Sequence, residues 1–154
     1  MIAYSALVAW LVALPLYQGI PRPPEFALAI ADVALATAPD DPRALAATLD
    51  LIAAHESAYH PLASGDGGRS RGAYQTPRAR TPRDIAGQTR LAARILGEAA
   101  RACPAHPLWA YASGRCASSY AARAMERAVA ASLAAAPELL ERELAEVDGL
   151  RTEP

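Results

Sequence analysis

The chain has 154 residues, a formal net charge of -1 and a pI near 6.3, so its overall balance makes no electrostatic case for a nucleic-acid partner. Apolar residues make up 53 % but aromatic ones only 6 %, and much of the remainder is alanine, which favours closely packed helices over sheets. The length suits one domain with a substantial core, and all fifteen cations are arginine, a bias that carries no function by itself.

In chain order, Met1 to Tyr17 is almost wholly apolar. No basic residue precedes it, no small-x-small cleavage site follows, and it falls short of the roughly 20 residues that span a bilayer. A buried first helix is the favoured expectation, with an export or membrane-contact element as the alternative. A second helix is expected from Glu25 to about Thr37, with Phe26, Ile30 and Val33 on one face. Asp41 as N-cap and Pro42 at the first helical position open a third, running to about Ser57. Leu62 to Arg80 holds four of the nine glycines and has no helical period, which predicts a loop with at most a small hairpin. Thr81 as cap, with Asp84 three residues on, opens a helix to about Ala102 striped by Ile85, Ala92, Ile95 and Ala99.

A short helix over "LWAYASG" stops at Gly114, and an alanine-rich helix follows from Ala117 to Ala135. Pro137 starts a last helix through Val147, with Leu140, Leu144 and Val147 facing inward. The expected fold class is therefore mainly α, a single helical domain over 1–154. It divides into N-terminal helices (1–40), a core (41–135) and a C-terminal helix (137–148), with a short glycine-rich loop or β-hairpin beside the third helix. Cys103 and Cys116 are either two buried thiols or one bridge worth about 3 kcal/mol.

The stretch "HESAYHP", His55 to Pro61, resembles a zinc-peptidase signature but fails its spacing. Two ligands on one helical face need to be four residues apart, and position 59 is Tyr59. His60 lies about 500° around the helix from His55, and Pro61 holds it extended. No metal or other cofactor is expected. Glu56 is the better candidate. The apolar stripe of the third helix runs Leu45, Leu49, Ile52, and Glu56 is next on that line, seven residues and nearly two turns after Leu49. Burial and the negative end of the helix dipole both disfavour the ionised carboxylate there, which suits a general acid. Geometry alone favours the plainer alternative, an acid at a helix end that bends out to water or pairs with an arginine.

The residues after Glu56 carry a resemblance. "ESAYHPLAS" and "SRGAYQTP" are similar to elements of the lysozyme-like superfamily, and in particular of the soluble lytic transglycosylases. That family follows its catalytic glutamate with a serine, then a proline and a serine, and next a Gly-x-x-Gln-x-x-Pro element. Gly72 and Gln75 match; Pro77 arrives one residue early. "YASG", Tyr111 to Gly114, occupies the place of the family's Tyr-Asn-Ala-Gly turn, with Ala112 where the asparagine would be.

The resemblance covers about Leu45 to Val129 and implies an α+β lysozyme-like fold. It makes Glu56 the acid/base at the β-1,4 bond between N-acetylmuramic acid and N-acetylglucosamine. Ser70, Gly72, Tyr74, Gln75, Tyr111 and Ser113 become the substrate-contacting positions, and Ser57 a tie for the loop.

A second carboxylate is the open point. Animal c-type lysozymes carry one two residues before the Gly-x-x-Gln glycine, where this chain has Ser70, and the transglycosylases lack it. Asp66 resembles the second acid of the invertebrate-type lysozymes, yet its glycine neighbours equally make it a turn residue. The implied partner is the peptidoglycan glycan strand, with virion or secretion-apparatus components beside it. The implied place of action is the periplasm or cell wall, reached by export or in a virion. A non-catalytic wall-binding or assembly module of the same fold is the alternative, and a plain helical interaction domain the least favoured reading.

Overall fold

The computed structural model describes the backbone of residues 2–150 and the side chains of residues 2–135. Its helices are α1 (Tyr4–Ala13), α2 (Pro24–Thr37), α3 (Pro42–Ser57), α4 (Ile85–Ala102), α5 (Pro107–Ser113) and α6 (Tyr120–Leu150). Three two-residue strands, β1 (Ser64–Gly65), β2 (Ser70–Arg71) and β3 (Thr76–Pro77), lie between α3 and α4. They form an antiparallel sheet in the order β1-β2-β3, pairing Ser64 with Arg71 and Ser70 with Pro77. The mainly helical class expected from composition is the one observed, with one strand more than a hairpin.

Helix α3 is central. From Ala46 to Ala54 every residue except Thr48 is buried, so this helix is covered on all sides rather than along one stripe. Helix α2 packs between α3 and α4, α1 covers α2, and α6 lies against α3. Phe26, Ile30, Leu49, Ile52 and Met125 are fully enclosed, each contributing on the order of 1.5–3 kcal/mol by leaving water. The apolar N-terminal stretch belongs to this core: Leu7, Trp10, Leu11 and Leu14 are buried. No described helix is long and apolar enough to cross a membrane.

Several local expectations change. Asp41 occupies the N-cap of α3 without accepting a hydrogen bond, so Pro42 and packing start that helix. Helix α4 is capped by Asp84, whose Oδ1 accepts from the Gly87 N–H at 2.6 Å. The Thr81 hydroxyl is used instead by Thr76 and Pro77. Leu96 is buried where Ile95 was expected, while Ala92 and Ala99 are buried as expected. Helix α6 starts at Tyr120 and runs unbroken past Pro137, carried by strong helix formers on both sides. The inward facing expected of Leu140, Leu144 and Val147 lies outside the described side chains.

Two devices fasten α5. His106 stacks on Trp109 with ring centroids 3.9 Å apart, and both reach Glu126 of α6, at 3.2 Å and 3.0 Å. Cys103, at the end of α4, is joined to Cys116 beyond α5 by a disulfide spanning 13 positions. Reduction of that bond is expected to lower unfolding free energy by about 3 kcal/mol, read as a fall in Tm with dithiothreitol. A Cys103→Ser/Cys116→Ser variant should then show no further response to reductant.

Candidate active site

Glu56 lies in the last turn of α3, and the way that helix ends fixes its position. The chain leaves the helix through two consecutive left-handed residues, Ala58 (φ 51) and Tyr59 (φ 63). The Ala58 N–H bonds to the Ala54 carbonyl at 2.9 Å and the Tyr59 N–H to Ala53 at 3.0 Å, a Schellman-type ending made without glycine. Left-handed conformations cost non-glycine residues free energy, so the core must impose this one. Tyr59 supplies the reason. Its ring meets Phe26 edge-on at 5.2 Å, and its hydroxyl donates to buried Asp50 at 2.8 Å.

The Glu56 side chain retains 24 % of its exposure, and its Oε1 stands 3.4 Å from His55 Nδ1. His55 in turn lies 5.8 Å from the Tyr17 ring. The acid is therefore mostly covered at the end of a buried line, with about a quarter of its side chain left to solvent.

Direct hydrogen bonds join this helix end to the glycine loop. The Ser57 hydroxyl donates to the Ala73 carbonyl at 2.9 Å and accepts from the His60 N–H at 2.9 Å, the tie expected of it. Tyr111, from α5, donates to the Tyr74 carbonyl at 2.9 Å. Burial first, and the Glu56 charge second, push the Tyr111 phenol well above its ordinary range, so it stays a neutral donor beside the carboxylate.

Gly72 holds a left-handed turn of the loop. Its φ is +82, and a Cβ there would sit 2.5 Å from Gln88 Oε1. Gln88 is a buried keystone: Oε1 accepts from the Ala73 N–H at 2.9 Å, while Nε2 donates to the carbonyls of Pro61 at 3.0 Å and Pro82 at 3.1 Å. Gly72→Ala is expected to destabilise the protein by about 1–3 kcal/mol, measured by urea unfolding. An unchanged midpoint would contradict the tight approach.

The other expected residues divide. Gln75 is half-buried with φ 46, and its Nε2 donates to the Gly72 carbonyl at 2.8 Å, closing the turn on itself. The Tyr74 ring is buried and its hydroxyl shares a 3.1 Å hydrogen bond with Thr89, so only its backbone can face a substrate. The contact expected at this position is one of the backbone around Ala73 and Tyr74, and the buried ring packs instead towards Phe26 of α2 and Thr89 of α4.

Asp66 (φ 51) is exposed in a 3-10 turn, and its Oδ2 accepts from the Ser70 hydroxyl at 2.6 Å. Ser70 and Asp66 thus partner each other. The Ser113 hydroxyl bonds to the carbonyls of Trp109 and Arg115, both at 2.8 Å, closing the end of α5.

Compared with protein-family models, curated proteins and solved structures, the chain matches none. The site is accordingly read from its own geometry. Sequence reasoning missed Gln88, Thr89 and Tyr17. The first two carried a usable signal, since they are polar residues on the same line as Ile85, Ala92 and Leu96. An apolar cavity of about 510 Å³ lies near Leu45 and Thr48, towards the opposite end of α3, and does not include Glu56.

Proposed function

We propose that this protein is a lysozyme-like peptidoglycan glycosidase, closest in character to a lytic transglycosylase, with Glu56 as its acid/base. One observation carries the reading. The three sequence elements that resemble that family, around Glu56, Gly72–Gln75 and Tyr111, are separated along the chain yet are joined by the Ser57–Ala73 and Tyr111–Tyr74 hydrogen bonds.

The chemistry needs only a single carboxyl group. Glu56 gives its proton to the glycosidic oxygen as the bond from the muramic acid C1 breaks. The C6 hydroxyl of the same sugar then attacks C1 and returns a proton to Glu56, leaving a 1,6-anhydro ring. This route does not call on Asp66, whose carboxylate accepts from the Ser70 hydroxyl within an exposed turn. The Cys103–Cys116 disulfide supports action in an oxidising place, the periplasm or cell wall, by an exported or virion-carried protein.

The test is a suspension of purified peptidoglycan, which the protein is expected to clear; no loss of turbidity at any enzyme concentration would end the catalytic reading. A second reading has one observation in its favour. No amide stands where the family carries its asparagine, and Ser113 is consumed by the end of α5. A module that holds glycan strands without cutting them would pellet with peptidoglycan while leaving its turbidity unchanged.

A further inference from the structure

The near-neutral net charge hides a strong segregation. Seven of the fifteen arginines fall between Arg69 and Arg94, against one acid in that interval, Asp84. Three of them, Arg80, Arg90 and Arg94, line a cavity of about 470 Å³ beside the first turns of α4, together with Pro82, Asp84 and Leu91.

The geometry of this cavity is set by close packing. Pro82 presses on Gly87, where a Cβ would come within 2.7 Å of the proline ring. Arg90 and Arg94 are one helical turn apart and therefore on the same face, with side chains starting on the order of 6 Å from each other. Arg80 approaches from the 3-10 turn after β3. None of the three has a carboxylate within salt-bridge distance among the described residues. The one acid lining the cavity, Asp84, takes the Gly87 N–H on its Oδ1 and offsets one of the three positive charges. Three guanidinium groups against one carboxylate leave the concavity with an excess of positive charge, and their planar forks suit phosphate oxygens.

We propose that Arg80, Arg90 and Arg94 form a binding site for the phosphate groups of a polyol- or sugar-phosphate polymer. The site is separate from Glu56 and does not depend on its catalytic role. The lining favours such a polymer over a bilayer and over a single-stranded nucleic acid. A bilayer would call for apolar side chains projecting around the basic groups, and the exposed large hydrophobic residues, such as Val12, Leu28 and Leu62, do not line this cavity. A single-stranded nucleic acid would call for aromatic platforms, and no aromatic residue lines it.

The test uses the whole protein and poly(glycerol phosphate) as probe, with affinity followed by calorimetry across a salt series. Wild type is expected to bind, with a log–log salt slope near about -2 for three phosphate contacts, by analogy with single-stranded polyanions. Arg90→Gln/Arg94→Gln, exposed changes that leave the core untouched, should bind at least tenfold more weakly with a shallower slope. Circular dichroism confirms that the variant folds as wild type does. Glu56→Gln should bind like wild type, which separates this site from the catalytic reading. Absence of binding by wild type in low salt, or equal binding by the double variant, overturns the site. Equal or tighter binding to duplex DNA or to phosphatidylglycerol vesicles overturns the choice of a polyol-phosphate polymer.

Discussion

Asp50→Ala is expected to lower the unfolding free energy by about 3–5 kcal/mol. Asp50 sits mid-helix on α3 and is buried, with its carboxylate held bidentately by Arg22 at 2.5 Å and 2.6 Å. Tyr59 donates to the same carboxylate at 2.8 Å, and Arg22 also reaches the Leu11 carbonyl at 2.5 Å. Burial works against the Arg22 charge, and Asp50 outweighs it, so the guanidinium is held above even its ordinary range. Burial, then the Asp50 charge, likewise pushes the Tyr59 phenol up.

Removing Asp50 strands a buried cation and frees the tyrosine that enforces the left-handed end of α3. Two readouts therefore belong together: a large shift of the urea midpoint, and loss of order around Ser57 to Tyr59 in amide exchange. A shift under about 1 kcal/mol would mean that the pair is not buried as described.

Glu56→Gln is expected to reduce peptidoglycan cleavage by about 10²–10⁴-fold while leaving the melting temperature within a degree or two of wild type. The side chain keeps 24 % exposure and, among the described residues, makes one polar approach, to His55, so the isosteric amide disturbs little of the fold. Loss of activity with an intact fold separates chemistry from structure. Tyr111→Phe should cost much less, because the Tyr111 hydroxyl is spent on the Tyr74 carbonyl and acts by holding the loop.

Much of the helical frame was legible because period and punctuation agreed. Phe26, Ile30 and Val33 mark the buried face of α2, and Pro42 and Gly114 stand at helix ends where their backbone preferences put them. Glu56 was legible for the same reason, as the polar end of an apolar line. What failed was local chemistry decided by tertiary partners. Thr81 and Asp84 both look like caps, and only packing of Thr81 against Thr76 and Pro77 chooses between them.

The left-handed pair Ala58–Tyr59 has no glycine or asparagine to announce it, since the force behind it is Asp50, nine residues back. Asp50 itself carried a signal: one acid inside the apolar run from Ala46 to Ala54 has to be paired. Its partner, Arg22, lies 28 residues away and no local pattern names it.

The direct test of the central claim, a single-acid glycosidase built on Glu56, is mass spectrometry of the fragments released from purified peptidoglycan. Soluble muropeptides ending in 1,6-anhydro-N-acetylmuramic acid are the predicted result. Fragments with reducing ends would contradict the single-acid chemistry and return Asp66 to the site, and no fragments at all would contradict the enzyme.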